Sequence, residues 1–70
     1  MSKKPHPIIR AIALAGSEAK LGKAAGVSQN AIWQAKKREH VSAELAVAIE
    51  RATSGEVSRR ELRPDLFTDA

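Results

Sequence analysis

The sequence predicts an all-α domain of five short helices. Three observations carry that prediction. No segment alternates apolar and polar residues for long enough to make a strand. Apolar residues recur instead at spacings of three, four and seven, the period of a helix face. The candidate helices are also punctuated: Ser17, Ser28, Ser42 and Ser58 stand where starts are needed, and Gly16, Gly26 and Gly55 where stops are needed. Seventy residues leave room for one domain with one small core. Such a core supplies no more than ~3–5 kcal/mol unaided, so a partner or self-association would add stability.

Residues 1–7 hold two lysines and two prolines and read as a flexible basic arm before the domain at 8–67, with Pro7 near the first turn of the first helix. An arm of this charge serves either as a plain solubilising tail or as a follower of a DNA backbone or minor groove. The first helix is predicted over 8–15, with Ile8, Ile12 and Ala15 in one stripe and Ile9 and Ala13 beside it. Gly16 ends it. Ser17 caps a second helix running to about Ala25, with Leu21, Ala24 and Ala25 inward. Gly26 supplies the left-handed turn residue without a steric penalty. Ser28 caps a third helix reaching to about Arg38, and Val27 with Ile32 has the spacing of a hydrophobic staple. Its inner stripe is Ala31, Ile32 and Ala35. Ser42 caps a fourth helix with Glu44 in its first turn and an apolar face of Leu45, Ala48, Ile49 and Ala52, stopped by Gly55. The fifth is short: Ser58 and Glu61 form a capping box, Val57 and Leu62 a staple, and Pro64 blocks continuation. Leu66 and Phe67 are predicted to fold back over the core, and residues 68–70 to fray.

Residues 17–37 carry the functional signal. Two helices joined by a tight glycine turn form the pattern of a helix-turn-helix, whose second helix enters the DNA major groove. Gln29, Asn30, Trp33, Gln34 and Lys37 share the outer side of that helix. Gln and Asn amides can bond bidentately to adenine, and Lys reaches guanine acceptors. A helix built only for solubility would carry Glu and Lys there instead. Gln29, Asn30, Gln34 and Lys37 are therefore the expected base readers, with Ser28 at the edge able to touch a base or a phosphate. Two roles stay open for Trp33, the single tryptophan. It packs on sugar or a thymine methyl in the groove, or it fills a dimer contact or leans back as core. Ser17, Lys20, Lys23, Lys36 and Arg38 are the expected phosphate contacts, which position a protein without reading sequence. The charge distribution agrees. Residues 1–40 hold eight Lys/Arg and two acids, a balance of +6, while residues 41–70 hold four and six, a balance of −2. The positive excess lies in the half that carries the motif, the footprint of a polyanion binder.

Other classes find less support. There is no cysteine, hence no disulfide and no zinc-thiolate site, a usage that fits the cytosol. His6 and His40 have no second ligand at helical spacing and read as solvent or phosphate neighbours, so neither metal nor cofactor is expected. No apolar run approaches the ~20 residues that span a bilayer, and the basic start is interrupted by Arg10, unlike a signal peptide. No set of nucleophile, base and orienter is present, so an enzyme is not expected. Arg59, Arg60 and Arg63 sit in the acid-rich half and read as surface or ion-pair residues.

The run GSEAKLGKAAGVSQNAI (16–32), followed by LAVAIERATSGEVSRRELRPDLF (45–67), resembles the Cro-like repressors of the YdaS-type antitoxin family, within the lambda-repressor-like fold. The resemblance spans about Ile9 to Phe67, and the stretch from Ala48 to Leu66 makes it specific. It implies a compact five-helix domain with the helix-turn-helix in helices 2 and 3, binding a palindromic double-stranded operator. The subunits would form a weak dimer or meet only on the DNA. Three positions depart from the family pattern. Glu18 stands where Gln is typical and would repel a phosphate. Gly22 stands where Ala is typical and permits close helix crossing at ~1 kcal/mol of helix propensity. Trp33 comes earlier than the usual tryptophan, and Lys36-Lys37-Arg38-Glu39 replaces a glycine, so the third helix is expected to run further.

Two rivals differ in what they predict. A partner-neutralising antitoxin module would use the fourth helix and the C-terminal surface, with Leu66 and Phe67 exposed. An RNA-binding or general nucleoid protein would show no preference among sequences.

Overall fold

The computed structural model describes residues 6–67. Its helices are α1 (Pro7–Ala15), α2 (Glu18–Ala25), α3 (Gln29–Arg38), α4 (Ala43–Ala52) and α5 (Arg59–Leu62), and no strand occurs among the described residues. α2 packs on α1, α3 and α4, while α5 closes the fold against α4 and α1.

Serine hydroxyls set four of the helix starts. Ser17, Ser28, Ser42 and Ser58 each accept a hydrogen bond from the backbone N–H three residues on, at 3.1 Å in every case. Each thereby satisfies an amide that the helix itself leaves without a partner. Glu61 reaches back to the Ser58 N–H at 3.3 Å and completes the predicted capping box. At α1, Pro7 is the first residue, in agreement with its expected place near the first turn; the unforeseen part is the cap, where the His6 Nδ1 accepts from the Ile8 N–H at 3.2 Å. His6 is therefore a cap and not a solvent neighbour, and residues 6–7 belong to the helix start. Residues 1–5 of the predicted arm and the predicted fraying at 68–70 lie outside the described residues.

Ile8, Leu21, Ile32, Val41, Ile49 and Val57 are the largest buried side chains, with Ala11, Ala35, Ala46 and Leu62 between them. Four expectations change. In α1, Ala11 lies inward, whereas Ile9 and Ala13 face solvent. In α2, Gly22 is buried and Ala24 exposed. In α4, Ala46 is fully buried while Leu45, Ala48 and Ala52 are only partly covered. α4 also ends sooner than its glycine: Thr53 caps it, Ser54 and Gly55 follow at positive φ, and the Gly55 N–H returns to the Glu50 carbonyl at 2.8 Å. The buried Thr53 hydroxyl donates to the Ile49 carbonyl at 2.9 Å and accepts from the Val57 N–H at 3.1 Å, tying that turn to the segment that leads into α5.

Beyond α5, Arg63 holds the terminal turn. Its guanidinium donates to the Val41 carbonyl at 2.8 Å and pairs with Asp65 at 2.7 Å, which draws the Asp65 carboxyl down to about 2. Phe67 then folds back on the core as expected, but Leu66 stays half exposed.

Candidate nucleic-acid interface

Turn geometry places the two helices of the motif. Gly26 adopts the left-handed conformation (φ 79°), and the Val27 N–H returns to the Gly22 carbonyl at 2.8 Å. The chain then passes so close to α2 that a Cβ on Gly22 would stand 2.9 Å from the Val27 carbonyl oxygen and 3.1 Å from that of Ser28. Val27 packs against the core cluster that includes Ile32. Ile32 and Ala35 anchor α3 inward.

The other side of α3 is open. At ~100° per residue, Gln29, Asn30, Trp33, Gln34 and Lys37 cover an arc of about 140°. Gln29, Asn30, Trp33 and Lys37 are exposed and Gln34 half-buried, so the expected readers lie together on the side away from Ile32 and Ala35. Trp33 is 42% exposed, which removes the core role, and the Lys37 ammonium sits 4.9 Å from its ring centroid. That cation–π contact holds both side chains against one another on the surface. Trp33, Gln34, Lys37 and Arg38 line a shallow hollow of about 310 Å³ there.

The expected phosphate contacts flank this arc. Lys20, Lys23 and Arg38 are exposed. Lys36 is different: its ammonium pairs with the Glu18 carboxylate across the α2–α3 crossing. Ser17 and Ser28 accept amide hydrogen bonds as caps. A hydroxyl carries two acceptor lone pairs and one donor, so each cap still has an O–H to give to a phosphate oxygen. Capping and DNA contact are therefore compatible on one side chain.

Sequence reasoning missed three features of the site. The Glu18–Lys36 pair joins residues 18 positions apart, beyond any helical spacing. Glu39 ends α3 in the left-handed conformation (φ 53°), doing without glycine what a glycine commonly does. His6 lies within the electrostatic reach of Glu39 and His40, and burial lowers its pKa below the usual imidazole value. Only the missing glycine after α3 could have signalled any of these in advance.

Among the described residues no group of three or more His, Asp or Glu side chains could hold a metal, and no helix is long and apolar enough to cross a membrane.

Comparison with known proteins places this geometry. Among solved structures, the chain matches the "Structure of the Cro protein from putative prophage element Xfaso 1 in Xylella fastidiosa strain Ann-1" with a TM-score of 0.86 and 44% identity, covering 91% of this chain and 98% of that one. Among curated proteins it is 39% identical over 67 residues to "Putative transcriptional regulator YdaS" of Escherichia coli K12, covering 94% of this chain and 68% of that protein. Residues 8–70 match the family described as "Bacterial toxin YdaS", so nearly the whole chain is accounted for and the protein belongs to the YdaS family.

Proposed function

We propose that this chain is a sequence-specific DNA-binding repressor of phage or prophage Cro type. The observation that carries the reading is the outward arc of Gln29, Asn30, Trp33, Gln34 and Lys37 on α3, flanked by cations and backed by a buried face. Amide side chains on a major-groove helix read adenine, and the flanking lysines hold phosphates. The transcriptional regulator and Cro names of the relatives support the same reading. Repression is steric: two small subunits occupy an operator that overlaps a promoter. Ser28, Gln29, Asn30, Trp33, Gln34 and Lys37 face the bases, and Ser17, Lys20, Lys23 and Arg38 lie along the backbone, with Lys36 beside them held by Glu18. Half-sites then stand about one helical turn apart, ~34 Å.

Selection from a random duplex pool tests this, followed by titration of the selected duplex against random duplex. Gln29→Ala or Asn30→Ala relaxes discrimination at one base pair by ~1–3 kcal/mol, whereas Lys23→Ala weakens all duplexes alike and lowers the salt slope by ~1. Equal losses on selected and random duplex for all three variants refute the assignment of readers.

A second reading, a module that binds and neutralises a protein partner, is favoured by the surface of α4 and the C-terminal turn. Leu66 is 51% exposed, and beside Phe67 a mostly apolar groove of about 370 Å³ runs along α4 between Glu44 and Arg51. This surface lies on other elements than the α3 face, so the two readings are compatible in one chain.

A further inference from the structure

One ion pair joins the two helices of the helix-turn-helix. Among the described residues Lys36 is the one lysine in an ion pair, and its partner Glu18 is the first residue of α2. The Glu18 side chain is 18% exposed and that of Lys36 36%, so the carboxylate is largely shielded while the ammonium borders the surface. Lys20 and Lys23 lie on the same helix as Glu18, exposed. The free amides and dipole at the start of α2 favour an anion, and Glu18 is placed to be that anion. A DNA phosphate approaching Ser17, Lys20 and Lys36 would seek the same place.

We infer that Glu18 is a brake on DNA affinity: its carboxylate acts as an internal stand-in for phosphate, occupies Lys36, and removes one backbone contact from the interface. The inference rests on the DNA-binding reading above. Phosphate contacts carry no sequence information. The brake therefore lowers affinity for every duplex and leaves the choice among sequences untouched. Glu18 is a positioning residue that acts through Lys36, and the pair together is neutral.

The test is Glu18→Gln, which keeps shape and capping geometry while removing the charge. Binding to the selected duplex and to random duplex is measured across a salt series. Releasing one cation steepens the log–log salt slope by ~0.9 and tightens binding about eight-fold at 0.1 M salt. The ratio between the two duplexes stays constant. Lys36→Met alone leaves the carboxylate unpaired beside DNA and weakens binding, while the double variant Glu18→Gln/Lys36→Met returns affinity and slope to near wild type. A pair that merely braces α2 against α3 gives the opposite pattern. Glu18→Gln then melts earlier and binds equally or less tightly with an unchanged slope, and that result overturns the inference. Failure of the wild-type chain to bind any selected duplex is a separate outcome, and it sinks the DNA-binding reading instead.

Discussion

Gly22→Ala sets two well-known effects against each other. Alanine in place of a mid-helix glycine gains ~1 kcal/mol of helix propensity. At an open helix position that gain would be the whole effect. Here the new Cβ would stand 2.9 Å from the Val27 carbonyl oxygen, 3.1 Å from the Ser28 carbonyl oxygen and 3.2 Å from the Ser28 carbonyl carbon. All three are backbone atoms, so no side chain can swing aside. Relief requires the turn itself to move by several tenths of an ångström, and overpacking of this kind costs ~1–3 kcal/mol. The balance is a net loss of about 1 kcal/mol, which in a 60–100-residue domain lowers Tm by ~4–8 °C. The moved segment contains the Ser28 cap, so α3 shifts with it and affinity for a selected duplex falls further than stability alone explains. Thermal unfolding followed by circular dichroism checks the first part, and titration of a selected duplex at a temperature where both proteins are folded checks the second. A rise in Tm would mean that the turn has room, and would refute the close approach on which the placement of α3 rests.

Two further substitutions test the ends of the site. Glu39→Gly replaces a side chain at φ 53° with the residue that tolerates it, and removes an acid from the negative end of α3. Stability should rise by ~0.5–1 kcal/mol in urea unfolding, and no gain would show that the Glu39 side chain repays its backbone strain. The His6 cap makes stability depend on pH. Its folded pKa lies below the ordinary 6.5, chiefly through burial, so the unfolded chain binds the proton first. Stability is then fully present above 6.5 and is lost as pH falls through the lowered folded value. The expected Tm profile is flat from pH 8 to about 6.5 and declines below it. In His6→Asn, which caps without titrating, that decline is smaller, and identical profiles for the two proteins would remove His6 from the account.

Legibility tracked how local the determining physics was. Serine caps, the glycine turn and the capping box act within a few residues, and all were readable in order. The α3 face was readable as well, because Ile32 on one side and a run of amides on the other leave little doubt about orientation. Alanine was the weak letter. It is nearly indifferent to burial, so Ala11 against Ala13, Ala24 against Gly22, and Ala46 against Ala48 could be assigned only by knowing which neighbouring helix stood where. Long-range pairs were invisible for the same reason: Glu18 with Lys36, and Arg63 with the Val41 carbonyl, depend on how elements cross. Trp33 failed as a signal for a different cause. A lone large aromatic argues for burial, yet here Lys37 shields its ring and it remains at the surface.

Helices of four to ten residues are too short to persist alone, since isolated helices below ~12–15 residues are marginal in water. The direction in which α3 points is therefore set by what holds it. Those holds are the Ser28 cap, the backbone approach at Gly22, and the buried Ile32 and Ala35. None of them belongs to the arc of Gln29, Asn30, Trp33, Gln34 and Lys37. The side chains that would choose a DNA sequence are thus separate from those that keep the fold, and exchanging amides on that arc should alter which duplex is selected while the unfolding curve stays nearly fixed. A chain in which the two sets overlapped could not change its operator without risking its core.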